Sequence, residues 1–178
     1  MERKVLFNKA AVAGLYFGAI SSAYLFANWG ITMMPSNLSF LSSLLNLVLW
    51  IVKFAGCIWL MKYLMEKLVA ENADTGNKDT LNFGMLTSVF SAIIYAAVSF
   101  AYMAYIGGDT VSATMEELMQ TPGMPVDSNS IALMDKMMAS LPQLTFWGNL
   151  IYCSLFGIVL SAILSARIPS KDPFANNK

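Results

Sequence analysis

Four long apolar runs constrain this chain more than any other feature. They cover roughly residues 8–33, 40–64, 82–107 and 144–166. Each is long enough for a helix to cross about 30 Å of hydrocarbon with some tilt. The runs are unbroken, whereas barrel strands alternate, so the spans are predicted to be helices. Charged residues make up only 12% of the 178 residues, against about 25% in ordinary soluble domains. The expected fold class is an all-α integral membrane protein. It is a single domain, 1–178, with four transmembrane helices and a helical extramembrane loop, 108–143, between spans three and four.

The first run follows a basic start, MERKVLFNKA. Its apolar stretch of about 24 residues exceeds the 7–15 of a signal-peptide core. An uncleaved first span is expected. Direction follows from Lys and Arg. Arg3, Lys4, Lys9, Lys62, Lys67, Lys78, Arg167, Lys171 and Lys178, nine of the eleven basic residues, fall on one side. The positive-inside rule then places both termini in the cytoplasm of a bacterium and loop 108–143 in the periplasm, with the spans in the inner membrane. Trp29, Tyr105, Phe146 and Trp147 mark the outer interface, and Trp59 and Tyr63 the inner one.

Segment 34–39 reads as a tight turn and 65–81 as a short polar loop with Gly76 and Asn77 as turn residues. In loop 108–143, two helices are predicted. One covers about 112–120, with Thr114 and Glu117 at capping-box spacing. The other covers about 129–140, after Asp127 and Ser128 as caps. Pro122, Gly123 and Pro125 break the chain between them.

In lipid, helices associate through close contact and polar groups rather than the hydrophobic effect. Ala10, Gly14, Gly18 and Ser22 form a stripe of small residues on span one. Gly84, Ser88, Ser91, Tyr95, Ser99 and Tyr102 share a face of span three, and Asn149, Cys153, Gly157, Ser161 and Ser165 a face of span four. These faces serve either a monomeric bundle or, at Gly14 and Gly18, a second copy of the chain or a membrane partner.

Span two contains Lys53 near mid-depth, in NLVLWIVKFAGCIWL. A charged lysine there costs about 2.5–3.5 kcal/mol on insertion scales. The dozen Leu, Ile, Val and Phe residues of 41–64 contribute roughly −0.3 to −0.6 kcal/mol each, so the helix still inserts. No Asp or Glu lies in any span. By depth, the nearest polar neighbours are Ser21, Ser22, Ser91 and Tyr95. Three readings stay open: Lys53 snorkels to the headgroups, it is polar glue inside the bundle, or it faces a cavity and binds an anion, a lipid head group or a proton. On the last reading the ligand-binding residues are Lys53, Tyr95, Ser91 and Ser22. On the packing reading the working residues are Gly14, Gly18, Ser22, Gly157 and Ser161.

Other chemistry finds little footing. The chain has no histidine, which removes the commonest metal ligand and general base. Cys57 and Cys153 fall inside apolar runs and read as buried structural thiols. Walker A, G-x-S-x-G, H-E-x-x-H and C-x-x-C motifs are missing. Zero net charge gives no case for nucleic acid. Methionines concentrate toward the outer side. Thioethers can hold Cu(I), but Met also fills irregular apolar gaps, and no metal or cofactor is assigned.

The Gly-rich first span, TLNFGMLTSVFSAIIY opening the third, the Met-rich outer loop ending in a proline, and GIVLSAILSARIPSKDPF closing the chain together carry a resemblance. The chain resembles an uncharacterised family of four-span inner-membrane proteins from Bacteroidetes-type bacteria, domain of unknown function 4199. The resemblance implies the topology and carries no activity or site residues. The reading is thus a non-enzymatic membrane protein in contact with lipids, acting through helix–helix association with itself or a membrane partner. The alternative is a small transport or ligand-binding protein that uses Lys53 as an anion or proton site.

Overall fold

A computed structural model describes residues 3–72, 75–119 and 128–168. Helix α1 spans Arg3–Thr32, and a short 3-10 turn, Ser36–Leu38, leads into α2, Ser39–Glu71. Helix α3 covers Asn77–Tyr102. A π-helical turn, Met103–Gly107, joins it to α4, Gly108–Met119, and α5 covers Ser128–Arg167. The described residues contain no strand. Four helices are long and apolar enough to cross a membrane. At 1.5 Å per residue, the 33 residues of α2 reach about 50 Å, well beyond the hydrocarbon core.

The helices run further than the apolar pattern predicts. Segment 65–81 reads as a polar loop, yet α2 continues to Glu71. Met65, Leu68 and Val69 keep the inward face of α2 apolar and are buried. On its outer face, Lys62 pairs with Glu66 and Lys67 with Glu71 at i,i+4. The helix stops at Asn72, which turns extended and donates from Nδ2 to the Leu68 carbonyl at 3.0 Å. Asp79 in the first turn of α3 suits the positive end of its dipole.

The other end differs more. Helix α4 starts at Gly108, four residues before the predicted start. Thr114 therefore does not cap it, and its hydroxyl donates back to the Thr110 carbonyl. The side chain of Glu117, the proposed cap Asp127, and the breakers Pro122, Gly123 and Pro125 lie outside the described residues. The second loop helix and span four form one 40-residue helix through Pro142. Proline removes one helical hydrogen bond, at a cost of about 3 kcal/mol.

Two compact units divide the chain, 1–95 with 150–178, and 96–149. In the second, Phe146 meets Phe100 edge-on. The first holds the main core. There α3 packs against three other helices where side chains are smallest. A Cβ on Gly14 of α1 would stand 2.5 Å from Phe90 Cβ, and on Gly18 2.8 Å from Ile94 Cβ. Gly84 of α3 faces Ser161 of α5 and Met65 of α2, and Gly157 of α5 faces Ser88. The hydroxyls at these contacts are satisfied locally. Ser22 donates to the Gly18 carbonyl, Ser88 to Gly84 and Ser161 to Gly157. The apolar core gathers Leu6, Phe17, Met65, Leu68, Phe83 and Leu164. By contrast, only 6% of the most apolar stretch of α2 is buried within the protein, against 33% for α1.

Lys9 of α1 and Glu71 of α2 form an ion pair of 2.6 Å. Glu71 lies past the apolar part of its helix. The hydrogen bond from Lys9, then the Lys9 charge, hold its carboxyl below the ordinary value of 4.5. A depressed carboxyl contributes stability above the unfolded-state value and loses it as pH falls through the folded one. The stability advantage of wild type over Glu71→Gln should therefore be full near neutrality and fade below about pH 4.5. Because both groups are exposed, added salt should shrink it. A difference that stays flat with pH in detergent melting would show that the pair contributes nothing.

The glycine contacts give a second expectation. Gly14→Ala and Gly84→Ala should each cost about 1–3 kcal/mol, read as lowered melting temperature, because each methyl meets a packed neighbour. Gly56→Ala, with nothing within 4 Å, should be neutral or gain up to about 1 kcal/mol from helix propensity. Equal effects at all three positions would contradict the packing.

Candidate functional site

Lys53 sits midway along the apolar part of α2, about 20 Å from its Ser39 end at 1.5 Å per residue. Its ammonium turns inward. Nζ lies 4.4 Å from the centroid of the Tyr24 ring of α1 and 5.0 Å from that of Tyr95 of α3. Both are within cation–π range, which contributes about 0.5–2 kcal/mol per contact. Among the described residues no carboxylate pairs with Lys53. The ion pairs there use Lys9, Lys62 and Lys67.

Lys53 borders a cavity of about 200 Å³. Its polar wall includes Ser21 of α1 and Thr87, Ser88, Ser91 and Tyr95 of α3, and its apolar wall includes Trp50 and Phe54 of α2 and Tyr152 and Phe156 of α5. Thr87 is fully buried, and its hydroxyl has no hydrogen-bond partner. The hydroxyls of Thr75 and Ser99, away from this cavity, are buried without a partner as well. Cys57 and Cys153, both free and half-buried, also line this cavity.

The structure brings Lys53, Ser91 and Tyr95 to one cavity and leaves Ser22 out of its lining. Ser21 takes that place. Gly157 also lies on the cavity wall, while Gly14, Gly18 and Ser161 do not. Cys57 shares the face of Lys53 four residues on, and Cys153 belongs to the small-residue face of span four, whereas Tyr24 and Thr87 were missed by sequence reasoning. Tyr24 was within reach of it, because it follows Ser21 by three residues and so shares its helix face. Thr87 and Ser91 are likewise four apart on α3. That Cys57 and Cys153 border one cavity left no trace, because they sit on helices far apart in sequence.

A larger cavity of about 570 Å³ lies between α1, α2 and α3 and is bordered by Lys9, Lys67 and Glu71. Its charges already pair with one another. The smaller cavity carries the charge without a counter-charge, so chemistry points there despite the smaller volume. Among the described residues, no group of three or more His, Cys, Asp or Glu could hold a metal.

Long apolar helices around a cavity at membrane depth define a multi-pass membrane protein. The family model described as "Protein of unknown function (DUF4199)" matches residues 13–166, and the chain belongs to that family. No curated protein and no solved structure matches the chain.

The orphaned hydroxyl yields a direct expectation. Without a ligand, Thr87→Val should melt at or slightly above wild type, because an unsatisfied buried hydroxyl is replaced by an apolar group. A clear drop in melting temperature would mean that Thr87 has a structural partner.

Proposed function

We propose that this chain is a non-enzymatic, ligand-binding membrane protein that holds an anionic ligand at Lys53. One observation carries the reading: a lysine at mid-depth faces a cavity with hydroxyls around it and, among the described residues, no carboxylate beside it. The two tyrosine contacts together offset much of the roughly 2.5–3.5 kcal/mol cost of the charge. The lysine then gives the fold little net stability, and a ligand supplies its purpose. The basic residues support an inner-membrane setting with both termini cytoplasmic and 108–143 periplasmic. The gathering of Lys9, Lys67 and Glu71 around one cavity fits that orientation.

Association with a second copy or a membrane partner is the second reading. The sparse burial of α2 favours it, since Leu44, Leu47 and Ile51 stand exposed. The Gly14 and Gly18 stripe supports it less, because α3 occupies that stripe within the chain.

The test is thermal melting in neutral detergent with hexanoate, its uncharged analogue hexanamide, or neither. Hexanoate should raise the wild-type melting temperature, on the order of 2–4 °C per kcal/mol of binding. Hexanamide should not. Lys53→Met should melt within a few degrees of wild type and ignore both compounds. A Lys53→Met variant that responds to hexanoate as wild type does would refute the anion site. One that melts far below wild type would make the amine a structural tie between helices.

A further inference from the structure

Resting on that reading, we propose that the ligand is a single-chain lipid carboxylate, a long-chain fatty-acid anion, which enters from the hydrocarbon between α2 and α5. Charge comes first. Among the described residues, Lys53 is the only cation lining the cavity. A monoanion leaves no net charge in the apolar interior, whereas the second charge of a phosphomonoester would stay unpaired at high cost.

Depth comes second. Lys53 lies near the middle of the apolar part of α2. The phosphodiester of a two-chain lipid is held at the headgroup level, about 15 Å from the centre of a 30 Å core. A fatty-acid carboxyl has no glycerol to hold it there.

Size and access come third. About 200 Å³ is below the roughly 300–1,000 Å³ of clefts that enclose drug-sized ligands. The cavity admits a carboxylate and its first carbons, and the rest of a chain must leave through an open side. The α1 and α3 walls are closed, with Phe17 at 6% and Thr87 at 0% exposure. The α2 and α5 walls are open, with Trp50 at 53% and Tyr152 at 69%. Trp50 stacks on Phe54, Phe54 meets Phe156 at 5.4 Å, and Tyr152 stacks on Phe156. This aromatic strip crosses from α2 to α5 and offers an alkyl chain an apolar path to the bilayer. Ser21 and Ser91, half-buried on the polar wall, offer hydroxyl donors for a carboxylate oxygen.

Trp50 supplies the readout. The full-length protein in phosphatidylcholine vesicles, at mildly alkaline pH, is titrated with a long-chain fatty acid brominated in mid-chain. Bromine quenches a nearby indole. Expected is a saturable loss of tryptophan emission at a low mole fraction of acid, missing in Trp50→Phe. The apparent affinity should fall at least about tenfold in Lys53→Met, hold in Lys53→Arg, and fall several-fold in Ser91→Ala. The matching brominated fatty alcohol should give only the linear quenching of dilution into lipid. The melting temperature of the same samples is the second readout and should rise with the acid alone.

Saturable quenching by the alcohol, or undiminished binding in a Lys53→Met protein that still melts as a folded one, overturns the proposal. So does an acid that moves neither emission nor melting temperature. If hexanoate still stabilises the protein through Lys53 in that last case, the anion site stands and its ligand is a small carboxylate from water. If hexanoate fails as well, both readings fall together.

Discussion

Close backbone approach at small residues is the constraint on which the first compact unit depends. Lipid tails are as apolar as the helices, so burying leucine against leucine gains nothing over leucine against lipid. Contact must come from surfaces that fit more closely than lipid does. Gly14 and Gly18 let α1 reach α3, and Gly84 and Gly157 let α3 and α5 meet with serines between them. Each serine donates to its own helix, so the contacts bury hydroxyls without leaving donors unsatisfied.

The same contacts shape the cavity. Gly157 and Ser88 belong both to the α3–α5 contact and to the cavity wall. Where α1, α3 and α5 draw together, α2 takes part through Met61, Met65 and Leu68. Further along, its bulky Trp50 and Phe54 hold it off. The space left between these aromatics and the hydroxyl-bearing wall of α3 is where Lys53 turns in. A site thus forms at the place where tight packing ends.

Much of this was legible in the chain. Apolar run length gave the four helices, and four-residue spacing gave the faces of α1, α3 and α5. The depth of Lys53 led to Ser91 and Tyr95 as neighbours. What escaped depends on helix rotation, which run length does not encode. Ser21 and Ser22 lie at nearly the same depth, and only the rotation of α1 selects Ser21 for the cavity. Tyr24 lies one turn further along that face, and only the rotation of α1 brings its ring against Lys53. The length of α2 was misjudged for another reason. Residues 65–71 are too polar for hydrocarbon but keep an apolar inward stripe, so the span and the helix end at different places.

The two ends of the charge distribution explain why the site can remain open. At one cavity, Lys9 and Lys67 meet Glu71, and a fixed carboxylate answers the ammonium groups permanently. A carboxylate within a span would do the same for Lys53, and any anionic ligand would then have to displace it. Tyrosine rings act differently. They stabilise an ammonium through their faces without neutralising it, and at about 0.5–2 kcal/mol per contact they are weaker than a desolvated ion pair. The result is a cation within a span that meets two tyrosine rings and, among the described residues, no carboxylate. On the proposed reading, the anion that answers Lys53 comes from outside the chain, and the hydroxyls of Ser21 and Ser91 stand on the same wall.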